Sequence, residues 1–232
     1  MIRLHEVTRE YRTHGELVRV LGPVNLEIPE GQAVAVVGPS GAGKSTLLSV
    51  LGLLDRPTRG TYRLGAMDVT ELSETQRAEM RRDTIGFVFQ RYNLLDELSV
   101  VQNVALPLLY RGWSAVKRRD AAQRAINRVG LAGKERLRPS QLSGGEQQRA
   151  AIARAVVGRP QVILCDEPTG NLDSNTGRLV MDLLLEIHRD AADSVLVVVT
   201  HNRDVAMALD RILVIQDGRV TRAGAPQEVL TR

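Results

Sequence analysis

Between an apolar run at residues 33–37 and a helix-forming run at residues 46–54 lies Gly38-Pro39-Ser40-Gly41-Ala42-Gly43-Lys44-Ser45. The octet fits G-x-x-x-x-G-K-[ST], in which glycines let backbone N–H groups curl around phosphate oxygens, a lysine adds a point charge and a hydroxyl can hold Mg²⁺. A strand, a Gly-rich turn and a helix in that order build one edge of an α/β sheet. With glycine at its usual ~7% of residues, a chance match is expected in roughly one chain of this size in a hundred. The competing reading is an ordinary turn between strand and helix. Lysine usage sharpens the choice: Lys occurs only at 44, 117 and 134. One of the three stands where a compact, non-planar charge suits a phosphate.

Composition bounds the partners. At 232 residues and 43% hydrophobic content the chain can fill the core of one large α/β domain with a small inserted lobe. The net charge is +4, but the arginines are scattered and 3% aromatic residues leave few stacking platforms, which argues against nucleic acid. Cys165, the single cysteine, sits in an apolar run and reads as a small buried residue. No signal peptide is evident and no apolar run approaches the ~20 residues that span a bilayer, so membrane contact is expected through a partner only.

Taken in order, residues 1–35 alternate as short antiparallel strands, with Tyr11 in a polar loop where it could stack on a base or cover a sheet edge. Residues 61–69 are strand-like, residues 73–82 helical with Ser73 and Gln76 spaced as a capping box, and residues 85–89 a buried strand ending at Gln90. From 91 to 157 the pattern turns helical. Ser99 and Gln102 form a second box, Pro107 should kink or end the first helix, and Ala122, Ala125, Ile126 and Val129 make an apolar stripe. Leu142-Ser143-Gly144-Gly145-Glu146 closes this lobe: Ser143 and Glu146 are spaced as a third box, and a Ser-Gly-Gly helix start is also an anion site.

Residues 161–165 form an apolar strand ending in Asp166-Glu167-Pro168. Carboxylates at that edge sit where open α/β sheets bind ligands. Asp166 can hold Mg²⁺ through water and Glu167 can polarise an attacking water. A helix over 177–189 points Leu179, Val180, Leu183, Leu184 and Ile187 inward. The strand at 195–199 ends in Thr200-His201, where a histidine can reach a γ-phosphate; His5, His14 and His188 lack such a setting and read as structural. Asp217-Gly218 marks a hairpin.

Together these segments resemble the ATP-binding cassette (ABC) family across nearly the whole chain. Residues 142–150 look like that family's signature, which other P-loop proteins lack. By resemblance, residues 38–45 are the Walker A loop with Thr46 beside the α-phosphate, Asp166 is the Walker B acid and Glu167 the catalytic carboxylate. Gln90 matches the Q-loop, Asp173 the D-loop that couples the dimer, and His201 the switch histidine; Ser45, Gln90 and Asp166 match the family's Mg²⁺ ligands. Tyr11 matches the aromatic that stacks on adenine. The fold this implies for residues 1–232 is a P-loop NTPase with a RecA-like core, an N-terminal antiparallel β subdomain and an inserted α-helical subdomain from about 91 to 157.

The resemblance further implies an ATPase working with Mg²⁺ as a head-to-tail homodimer, in which Ser143, Gly144, Gly145 and Glu146 of one copy cover the ATP held by the other. Residues 86–95, 102–104 and 168–173 look like the branch of lipoprotein-releasing and macrolide-exporter ATPases. That branch pairs its ATPase, at the cytoplasmic face of the inner membrane, with an integral membrane permease bearing an extracytoplasmic domain, for export or extraction from the membrane. The transported substrate is recognised by the permease and leaves no mark here. A GTPase would need Asn-Lys-x-Asp, which is absent, and a nucleotide kinase would not explain residues 142–150. A cell-division type regulatory ATPase, signalling through a membrane partner without transport, is the alternative.

Overall fold

The computed structural model describes residues 1–13, 15–191 and 193–230, and His14 lies outside them. The chain forms two compact units, Met1–Glu79 with Ala192–Arg232, and Met80–Ala191.

In the first unit, β1 (Ile2–Thr13) and β2 (Glu16–Ile28) pair antiparallel, and β1 also pairs with β4 (Arg59–Leu64), which continues to β5 (Met67–Asp68). The polar loop expected around Tyr11 is instead strand: Tyr11 stands in β1 opposite Val18. Beyond Thr8 the strand pairs with β2 alone. A second layer sets β3 (Ala33–Val37) between β8 (Val195–Val199) and β9 (Arg211–Gln216), parallel to both. All five residues of β8 are buried, as a strand covered on both faces requires. Because β3 and β8 run parallel in register, the loop at Gly38 and the pair Thr200-His201 leave the same sheet edge. Strand β10 (Arg219–Gly224) returns along β9 through Asp217-Gly218, whose φ values of +49° and +74° suit a type I′ turn. Helix α1 (Lys44–Leu51) follows the glycine loop, and α2 (Glu74–Thr84) starts on the expected Ser73–Gln76 box. Two five-residue helices, α7 (Arg203–Met207) and α8 (Pro226–Leu230), complete the unit.

In the second unit, β6 (Ile85–Phe89) runs parallel to β7 (Val162–Asp166), with Phe89 opposite Asp166. Helices α3 (Val100–Tyr110), α4 (Ala115–Arg128), α5 (Gly144–Val156) and α6 (Ser174–Asp190) complete it. Ser99 and Ser143 cap α3 and α5 with full capping boxes, as their spacing predicts. Pro107 does not end α3, which runs one turn further to Tyr110. In α6 the buried stripe is Gly177, Val180, Met181, Leu184, Leu185, Ile187 and His188. Leu179 falls off it and is 66% exposed, contrary to the expected inward position, because it lies about 100° around the helix from Val180. Cys165 is fully buried in β7. No described helix is long and apolar enough to cross a membrane.

Candidate nucleotide-binding site

Helix α1 begins on Gly43, whose φ is +97° and whose Cβ, were there one, would stand 2.7 Å from the Val20 carbonyl oxygen. Only glycine fits both the left-handed backbone and that close approach. No side chain caps α1 and no acid lies in its first turn, whereas α2 to α6 are all capped by a serine or aspartate. Its first N–H groups and the positive end of its dipole are left for an anion. Lys44 folds back beside them, its Nζ donating to the Gly38 carbonyl at 2.9 Å and the Pro39 carbonyl at 2.8 Å. The loop is braced from behind: Gly218 N–H donates to the Ala42 carbonyl at 3.0 Å and Gly22 N–H to the Gly218 carbonyl at 2.6 Å. Pro39, Ser40, Gly41 and Ser45 are exposed and Thr46 half-buried, so the loop opens outward.

Two further predicted residues belong to this unit. His201 is exposed one residue beyond the buried Thr200, whose N–H donates to the Val36 carbonyl at 3.1 Å. Tyr11 is held in place: its hydroxyl donates to Asp55 at 2.5 Å and the Arg9 guanidinium lies 4.4 Å from its ring centroid.

The second unit carries the remaining ones. Asp166 and Glu167 leave the carboxyl end of β7 half-buried, and Glu167 adopts a φ of +48°. A left-handed backbone at a non-glycine residue costs about 1–3 kcal/mol and persists only where neighbours enforce it. Part of that enforcement comes from fully buried Gln148 of α5, whose amide donates to the Pro168 carbonyl at 2.6 Å. Gln90 is tied to the segment that follows: its Nε2 donates to Asn171 at 3.2 Å, and Asn171 donates back to the Gln90 carbonyl at 2.9 Å. Asp173 accepts from the N–H groups of Asn175 and Thr176, both at 3.1 Å, and so caps α6. A hydrogen bond from the Thr176 side chain, and after it these backbone N–H groups, hold its carboxyl below the usual range.

At the signature, Ser143 Oγ accepts from the Glu146 N–H while Glu146 accepts from the Ser143 N–H at 2.9 Å. Ser143 is exposed at the start of α5. A Cβ at Gly145 would stand 2.4 Å from Thr176 Cγ2 of α6, so any larger residue there would push that side chain aside. Glu146 is held down to about 2, first by the hydrogen bond from Lys134 and then by the Ser143 N–H. A carboxyl whose folded pKa lies below its unfolded value stabilises the fold at neutral pH and ceases to as pH falls through the folded value. The stability deficit of Glu146→Gln is therefore expected to be constant above about pH 5 and to shrink between about pH 4.5 and 2. Denaturant unfolding across that range checks it, and a flat deficit would contradict it.

Reading the residues alone missed Gln148 and the partners Asp55 and Arg9 of Tyr11. Asp55 lies 44 residues from Tyr11 in the chain, and no local pattern links them.

A family model described as ABC transporter matches residues 21–170. The macrolide export ATP-binding/permease protein MacB of Rhodospirillum rubrum is 47% identical over 230 residues, which are 99% of this chain and 35% of that protein. The chain thus spans about a third of that relative's length, at 35%. The uncharacterized ABC transporter ATP-binding protein YknY of Bacillus subtilis is 42% identical over 227 residues, 98% of each chain. The dimeric structure of MJ0796, a bacterial ABC transporter cassette, matches with a TM-score of 0.89 at 42% identity, covering 97% of this chain and 99% of that one. A post-hydrolysis state of MJ0796 bound to ADP and Pi matches with the same TM-score at 40% identity. With its phosphate loop, its signature helix and a relative matched almost end to end, this protein belongs to the ABC transporter family as an ATP-binding cassette.

Proposed function

We propose that the chain is the ATP-binding and ATP-hydrolysing subunit of an ABC transporter, closing as a homodimer around two ATP molecules. The observation that carries this is the uncapped, glycine-lined start of α1 with the Lys44 ammonium beside it. The triphosphate lies along residues 38–46 and adenine stacks on Tyr11. Glu167 orients the attacking water and takes its proton, while His201 and Gln90 line the γ-phosphate end. Ser143, Gly144, Gly145 and Glu146 cover the γ-phosphate of the partner copy, and Asp173 couples the two copies. The MJ0796 dimer and its ADP and Pi state support this reading.

The oxygen donors Ser45, Gln90 and Asp166 suit Mg²⁺, a hard cation that favours hydroxyl, carbonyl and carboxylate oxygens. When bound it neutralises phosphate charge. The chain's own residues then do the positioning: Lys44 draws the phosphates onto the helix start and Glu167 aims the water along the line of the breaking bond.

Hydrolysis powers a separate integral membrane permease with an extracytoplasmic domain, in export or extraction from the membrane. The helices between about 91 and 157 form the subdomain that presents the signature. The subunit sits peripherally at the cytoplasmic face of the inner membrane. The MacB relatives, named for macrolide export and containing a permease, support this assignment. Affinity capture from membranes should bring down the permease, and adding its transport substrate to the reconstituted complex should raise ATP turnover severalfold. A permease that stimulates turnover with no substrate moved in vesicles would instead favour the signalling alternative.

A further inference from the structure

Around Tyr11 lies a clamp that the catalytic scheme does not use. Arg9 and Tyr11, two positions apart on β1, project to one face of the strand. Arg9 grips Asp55 with both arms of its fork: Nε donates to Oδ2 at 2.8 Å and a terminal nitrogen lies 2.7 Å from Oδ1. The Tyr11 hydroxyl donates to the same Oδ2 at 2.5 Å, the short range of a charge-assisted bond. The Arg9 guanidinium covers one face of the Tyr11 ring, 4.4 Å from its centroid. The Arg9 and Asp55 side chains are only 23% and 21% exposed, so the pair is less screened than a surface ion pair.

Asp55 is itself anchored. Its N–H and that of Leu54 both donate to the Ser49 carbonyl in the last turn of α1, at 3.1 and 2.9 Å. The Arg56 N–H donates to Asp55 Oδ1 at 2.8 Å. The residue that holds the aromatic ring is therefore tied by its own N–H to the last turn of the helix that opens on the phosphate loop at Lys44. Eight residues at 1.5 Å each make it a rigid spacer about 12 Å long.

We propose that Asp55 and Arg9 are positioning residues for the nucleotide base: they lock Tyr11 so that a base stacks on one pre-set face, at a distance from Lys44 set by α1. This rests on the reading that Tyr11 stacks on adenine. With one face taken by the guanidinium, only the other is left for the base. Holding the ring before binding removes the cost of ordering it afterwards. A triphosphate without a base gains nothing from the clamp.

The test titrates a non-hydrolysable ATP analogue and inorganic tripolyphosphate into the wild-type chain and into Asp55→Ala, Tyr11→Ala and the double variant. Asp55→Ala is expected to weaken the analogue about 3- to 10-fold, to leave tripolyphosphate unchanged, and to add nothing in the Tyr11→Ala background. Tyr11→Phe, which keeps the ring and cuts the tie with little risk to folding, is expected to show a loss of the same size. An equal loss for tripolyphosphate, or an undiminished loss in the Tyr11→Ala background, would assign Asp55 a merely structural role and overturn the proposal. If Tyr11→Ala weakens the analogue but Asp55→Ala and Tyr11→Phe do not, the clamp alone falls. If Tyr11→Ala leaves the affinity intact, the stacking reading falls and the clamp with it.

Discussion

Glu167→Gln is expected to lower ATP turnover by about 10²- to 10⁴-fold, the usual contribution of a positioned general base, while nucleotide binding survives. The amide keeps the size and hydrogen-bonding shape of the carboxylate but cannot take a proton from water. Local structure should tolerate the change, because the segment at Glu167, with its φ of +48°, is held by its neighbours on both sides. On one side lies the buried β7, on the other Pro168, whose carbonyl accepts from Gln148. ATP that binds without being cleaved should hold two copies together, so the variant is expected to elute as a dimer with ATP and as a monomer without it. Phosphate release and size-exclusion chromatography read the two effects separately. Wild-type turnover in this variant would remove Glu167 from the mechanism, and a variant monomeric with saturating ATP would count against closure of the pair.

Lys44→Ala should instead damage binding and turnover together. Its ammonium folds over the loop and donates to the Gly38 and Pro39 carbonyls. Phosphate oxygens are better partners for that charge than neutral carbonyls, and losing a hydrogen bond to a charged group costs about 1.5–3 kcal/mol. Affinity for ATP should therefore fall about 10- to 150-fold. Turnover should fall a further 10²- to 10³-fold, because charge develops on the transferred group as the bond breaks. Nucleotide titration and phosphate release under saturating ATP check the two numbers. The α1 start should remain folded, since its glycine geometry and the Gly218 brace do not involve the lysine side chain. Unchanged affinity in a folded variant would contradict the assignment of the loop.

What was legible in the residues was local. Strands at 85–89 and 195–199 have the bounds their apolar runs announce, and the boxes at Ser73, Ser99 and Ser143 form as spaced, because each is a bargain among neighbours three residues apart. The phosphate loop was legible for the same reason: glycines, lysine and helix start are contiguous. Where the expectations failed, a distant neighbour decided. Tyr11 is strand rather than loop because β2 pairs with it, and Leu179 is exposed because the buried stripe of α6 runs through Val180 and Met181 instead.

The sequence by itself therefore determined the order of motifs, the caps and the family. Tertiary structure alone decided which residues serve those motifs: Gln148 holding the end of β7 by way of Pro168, Gly218 bracing the phosphate loop, Asp55 and Arg9 clamping Tyr11. The physical reason is reach. A cap or a glycine turn satisfies hydrogen bonds within a few residues, whereas a carbonyl 20 residues away or a carboxylate 44 residues away becomes a partner only once the fold has brought it there.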